Sequence, residues 1–185
     1  MAEKQDLLIE IGTEELPPKA LDNLSRAFRE GVSRGLQQDT LGFAAIERFA
    51  TPRRLALLVR DLDTTQADHE TTRKGPALQA AFDGHGRPTK AAEGFARSCK
   101  VTVDELETHE TAKGAWLVYR QIRPGRSAAA LIPGLVEQAL AELPIPKRMR
   151  WGSRTEEFVR PVHWVVLMLG DRVVPGNVLG TAAGS

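Results

Sequence analysis

Val162-His163-Trp164-Val165-Val166-Leu167-Met168-Leu169-Gly170-Asp171-Arg172-Val173 is the stretch on which the fold class turns. An apolar run meets a Gly-Asp pair, and apolar character resumes just beyond it. Such a two-residue turn between apolar runs favours a tight antiparallel hairpin. The predicted partner strand is 173–179. Pro175-Gly176 interrupts it, which suits an edge strand or a bulge. The residues after it, Gly180 to Ser185, read as a chain end lying just past a strand.

Working outward, the other elements repeat this style. Leu7, Ile9 and Ile11 alternate along a first strand. Pro17-Pro18 then opens a helix to about Gln37, with Leu21, Leu24, Phe28, Val32 and Leu36 on one stripe. Gly31 and Gly35 beside that stripe would admit a close neighbour. Asp22/Arg26 and Glu30/Arg34 have the spacing of helical ion pairs. Strands 44–50 and 54–60 follow, joined at Thr51-Pro52, and a short edge strand 69–73 ends at Lys74-Gly75-Pro76. Thr89 should cap a helix to Ser98, and Thr102 with Glu105 has capping-box spacing. A hairpin 107–111/115–122 is expected around Ala112-Lys113-Gly114, with Trp116, Val118 and Arg120 on one face. Ser127 should cap a helix to about Leu143. Hairpins and single helices without regular βαβ alternation imply an α+β fold around a largely antiparallel sheet, with about three main helices. The expected organisation is one α+β region over 1–185, with possible sub-lobes 1–75 and 76–185.

Composition narrows the function. The 185 residues carry a net charge of +1, with 42% hydrophobic and 26% charged residues, as in ordinary soluble domains. No global field favours nucleic acid, so any such site must be a local patch. Cys99 is the one cysteine, which fits a reducing compartment and rules out an internal disulfide or a zinc cluster. No apolar run is long enough to span a bilayer, and the polar N-terminus lacks a signal-peptide core. A cytoplasmic protein is expected. No Walker loop, nucleophile elbow or metal-ligand spacing occurs, so no catalytic residue and no metal ligand is assigned.

Several basic stretches stand out. Pro144-Ile145-Pro146-Lys147-Arg148-Met149-Arg150-Trp151-Gly152 frames an aromatic plane with three cations. Cations beside an exposed aromatic suit a phosphate-bearing partner with a base to stack. The same loop reads equally as a buried Trp151 anchor with solvated cations. Arg53-Arg54 after Pro52 could hold a phosphate bidentately, or simply end a strand. Arg73-Lys74 forms another basic turn. His163 on an apolar strand, and the adjacent Glu14-Glu15, fit structural roles better than acid–base ones.

Six motifs together resemble the beta subunit of bacterial glycyl-tRNA synthetase. They are Leu8-Ile9-Glu10-Ile11-Gly12-Thr13-Glu14-Glu15-Leu16-Pro17, Thr51-Pro52-Arg53-Arg54-Leu55-Ala56, Arg73-Lys74-Gly75-Pro76, Lys90-Ala91-Ala92-Glu93-Gly94-Phe95-Ala96-Arg97, Pro144 to Gly152, and Phe158-Val159-Arg160-Pro161-Val162-His163. They occur in the family's order over essentially the whole chain, which resembles only the N-terminal region of a much longer subunit. The resemblance implies a heterotetrameric two-subunit ligase. In it a separate alpha subunit uses ATP and Mg to activate glycine, and the beta subunit mainly binds tRNA. It implies the alpha subunit, tRNA(Gly) and the remainder of the beta subunit as partners, with no DNA and no membrane, and no cofactor bound by this chain. It also implies a fold similar to the B3/B4-type module of the phenylalanyl-tRNA synthetase beta chain. Lys147, Arg148, Arg150, Trp151, Arg53, Arg54, Arg73 and Lys74 are the expected tRNA contacts. An aminoacyl-ester hydrolase using His163, Glu14 and Glu15 is the alternative, and a purely structural docking region is a third reading.

Overall fold

The computed structural model describes residues 3–111, 114–153 and 155–184. The chain divides into two compact units, 1–67 with 125–185 and 68–124. The division differs from the possible sub-lobes 1–75 and 76–185: the strand His69–Ala77 crosses 75/76 and pairs with Gly114–Arg123 up to Lys74 and again at Ala77.

The first unit contains β1 (Lys4–Thr13), α1 (Leu21–Gln38), β2 (Ala45–Thr51) and β3 (Arg54–Asp63). The second contains β4 (His69–Ala77), α2 (Leu78–Ala81), α3 (Lys90–Cys99), a 3-10 turn, β5 (Glu107–Thr111) and β6 (Gly114–Arg123). The first unit then resumes with α4 (Ala128–Ala141), β7 (Val162–Leu169), β8 (Arg172–Val173), β9 (Asn177–Val178) and β10 (Thr181–Gly184). This is the α+β class read from the hairpins.

In the first unit the sheet order is β2-β3-β1-β7-β10-β9, with β8 also on β7. Period-two alternation sends Ile9 of β1, Leu57 of β3 and Leu167 of β7 to one face, in register and fully buried. The α1 stripe of Leu24, Phe28, Val32 and Leu36 joins Ile132, Val136 and Leu140 of α4 over that face. Gly31 and Gly35 admit α4 as expected: a Cβ on Gly31 would stand 3.0 Å from the Ala139 Cβ. Asp22 pairs with Arg26, but Arg34 reaches Glu142, the residue just past α4, at 2.8 Å rather than Glu30. Ser127 makes no side-chain cap; the start of α4 is held by Ala128 N–H donating to the Thr64 carbonyl at 2.8 Å.

The hairpin at Gly170-Asp171 forms, but the expected strand 173–179 is broken into β8 and β9. Pro175 has no N–H to continue a ladder. Residues 181–184 are no loose end. Leu179 and Gly180, at φ 49° and 69°, make the left-handed turn that brings β10 antiparallel to β9 and parallel to β7. The sheet is therefore mixed.

The second unit is a three-stranded antiparallel sheet, β4-β6-β5. Leu117 packs with Ala81 of α2 and Ala92 of α3, joined by Leu78, Phe82 and Phe95. Thr89 caps α3 by accepting from Ala91 N–H, and the Thr102/Glu105 capping box is present. Arg73-Lys74-Gly75-Pro76 lies inside β4 and is not a turn; a register shift between Lys74 and Ala77 absorbs Pro76. Of the expected hairpin loop, Ala112 and Lys113 lie outside the described residues.

Candidate functional site

The C-terminal end of β1 meets the starts of β3 and β7. A register shift follows Gly12 in the β1–β7 pair, and Thr13 is fully buried there. Beyond it the chain leaves the ladder but stays pinned. Thr13 N–H donates to the Arg53 carbonyl at 2.9 Å, Glu14 N–H to Pro161 at 3.0 Å, and Leu16 N–H to Pro52 at 2.6 Å. Three of the sequence motifs thus close on one point.

Their charged side chains pair there. Glu14 Oε1 lies 2.8 Å from His163 Nε2, and its second oxygen lies 3.6 Å from Arg53. Arg160 donates through Nε to the Glu15 carbonyl at 3.0 Å and through Nη1 to its neighbour Val159 at 3.1 Å. A cleft of about 430 Å³ opens beside them, lined by Glu14, Glu15, Leu16, Pro17, Pro18, Arg53 and Arg160. His163 is exposed, not a core histidine. On the adjoining sheet face Trp164 Nε1 donates to Glu10 at 2.7 Å, and Arg54 pairs with Glu10 at 3.3 Å while standing 5.5 Å from the indole centroid.

The other expected contacts fare unequally. Arg148 is half-buried and donates to the Ala141 carbonyl at 2.5 Å, closing the end of α4. Arg150 pairs with Glu157 at 2.7 Å. Trp151 is half-buried against the core of the first unit. The loop is held by a Met149–Phe158 bridge, with Phe158 fully buried. Trp151 is therefore the packed anchor and Arg148 a helix-closing group. Lys147 is exposed, and among the described residues neither it nor Arg148 forms an ion pair, but Arg148 is held by backbone carbonyls. In the second unit, Arg73 donates to the Ser98 carbonyl at the end of α3, and Lys74 covers Trp116. Neither Glu10 nor Trp164 stands out in the sequence as a site residue; their sign is a shared outward parity on strands that pair with each other. Among the described residues no three His, Cys, Asp or Glu side chains group as a metal site. No helix is long and apolar enough to cross a membrane.

A family described as glycyl-tRNA synthetase beta subunit matches residues 7–185. The chain belongs to that family. Among curated relatives, the glycine–tRNA ligase beta subunit of Marinobacter nauticus is 53% identical over 181 residues, covering 98% of this chain and 26% of the relative. Those of Hahella chejuensis and Glaesserella parasuis are each 54% identical over 181 residues, with the same coverage. The chain therefore spans about a quarter of the length of these glycine–tRNA ligase beta subunits. The strand-end cluster accordingly belongs to an N-terminal region of the family.

Proposed function

We propose that this chain is a noncatalytic part of a glycine–tRNA ligase beta subunit that supports ATP-dependent attachment of glycine to tRNA(Gly), by contacting tRNA and docking the assembly. ATP and Mg would act through the alpha subunit, in the cytoplasm, with no DNA and no membrane partner. A B3/B4-type module remains the proposed fold relationship. The observation that carries the reading is the satisfied pairing of the strand-end groups. Glu14 is shared between His163 and Arg53, and Arg160 is spent on backbone carbonyls. Such a network braces three chain segments. It leaves Arg53, more than half exposed, and Lys147 facing outward, where phosphates are contacted through charge.

The test uses the complete two-subunit enzyme with Lys147→Glu and Arg53→Glu. Each should weaken tRNA(Gly) binding and lower the slope of log affinity against log salt by about one. Wild-type affinity and slope in both, with normal folding, would sink the proposal.

A second reading draws on the 2.8 Å His163–Glu14 contact beside a cleft. A histidine oriented by a carboxylate can act as a general base toward water at an aminoacyl ester. His163→Ala would then abolish deacylation of mischarged tRNA by the complete enzyme. If wild-type enzyme releases no amino acid from such tRNA, that reading is excluded.

A further inference from the structure

The helix-free face of the second unit carries the parts of a base-stacking platform. Side-chain alternation along β6 turns Leu117 onto α2 and α3 and turns Trp116, Val118 and Arg120 the other way. His109 of β5 stands directly opposite Trp116, and Lys74 of β4 opposite Val118. Lys74 Nζ lies over the indole, 3.7 Å from its centroid. Gly114, whose Cβ would stand 3.5 Å from the ring, adds no side chain there. Arg120, at the other end of the face, is neutralised by Glu70 at 3.5 Å and Glu107 at 3.0 Å. Lys74 has no carboxylate partner among the described residues.

Apolar surface at this end of the face is small. Near the ring Val118 is only 3% exposed and the indole itself is half-buried, while Ile122, 66% exposed, is a separate apolar side chain beyond Arg120. That is too little for a stable protein contact, but one planar base needs no more. An exposed cation over a ring biases its position by about two- to fivefold. A base stacked on an aromatic side chain is worth about 5- to 150-fold. Stacking therefore wins the ring, and the displaced lysine is left beside the incoming strand's phosphate.

We infer that Trp116, Lys74 and His109 receive one unpaired nucleotide of an RNA strand, the base taking the place of Lys74 on the indole and the lysine passing to its phosphate. This deepens the proposal that the chain handles tRNA and rests on it. His109, opposite the ring, can meet a base edge through either ring nitrogen.

The complete two-subunit enzyme is titrated with a tRNA(Gly) transcript and with unstructured polyuridylate. Trp116→Ala should weaken binding by about 5- to 150-fold, and Trp116→Phe, which keeps a stacking face, should restore most of it. Lys74→Gln, which removes no packed core atom, should lower the salt slope by about one. Wild-type binding by both Trp116→Ala and Lys74→Gln overturns the inference. So does loss of subunit assembly in Trp116→Ala with wild-type tRNA binding by Lys74→Gln, because the face would then hold protein. Weakened binding in Lys147→Glu, with no effect of the Trp116 and Lys74 variants, removes this inference alone. Wild-type binding by all of these variants and by Arg53→Glu removes the proposed tRNA contact as well.

Discussion

Gly12→Ala should disrupt the strand end through one side chain, Trp164. A Cβ on Gly12 would stand 1.9–2.3 Å from three atoms of the six-membered ring of that indole, far inside contact distance. The backbone cannot retreat, because Gly12 is paired with Arg54 on one side and Trp164 on the other. The ring must leave instead. It would lose the 2.7 Å bond from Nε1 to Glu10 and its contact with Arg54. A hydrogen bond to a charged group contributes about 1.5–3 kcal/mol and an exposed cation–ring contact about 0.5–1 kcal/mol. Both are discounted for the half-buried ring, and lost packing adds to them, so the expected cost is about 3 kcal/mol. Trp164→Ala removes the same interactions from the other side. In that background Gly12→Ala should cost no more than about 0.5 kcal/mol, giving a coupling of about 2–3 kcal/mol. Urea unfolding of the wild type, both single variants and the double variant, followed by far-UV circular dichroism, measures this. Additive single effects would refute the claim that the glycine exists to seat the indole.

Arg148→Ala should destabilise the protein by about 1–2 kcal/mol through the lost carbonyl contact and the lost charge at the end of α4. Hydrogen exchange should quicken in the last turn of α4, and unchanged exchange there would refute the capping role. Asp6 gives a pH prediction. The Asp61 N–H, and then the Arg60 guanidinium, hold its carboxyl below the usual carboxylate range. A carboxyl depressed by folding contributes stability that is present above its unfolded pKa and lost as pH falls through the folded value. Asp6→Asn should therefore narrow the stability gap between neutral and strongly acid solution, measured by urea midpoints across that range; an unchanged gap refutes it.

Much of the scaffold was legible because periodicity reports burial directly. The α1 stripe appears in the core from Leu24 to Leu36, with Leu21 half-buried at its margin, and Gly31 and Gly35 mark where α4 approaches. Thr89 and Thr102 cap as their local spacing requires, since capping is settled within a few residues. The short strand at 181–184 was not legible. Thr-Ala-Ala-Gly has little strand character, and its parallel place beside β7 follows from the turn at Leu179-Gly180. The Arg34 pairing differs likewise, because Glu142 at the end of α4 outcompetes the helical neighbour that spacing suggests.

The sequence alone established the α+β class, the amphipathic faces and the ordered motifs that identify the family. Those properties are local or linear, set by side-chain period, turn chemistry and residue order. Tertiary structure decided the use of each charge. Glu14 and His163 are 149 positions apart and meet because a register shift ends the β1–β7 ladder. Arg148, set among the loop's cations, is drawn back to the last carbonyl of α4, whereas Lys147 beside it faces outward. A cation's role depends on which acceptor lies within a few ångströms, and that distance exists only once the strands and helices are packed.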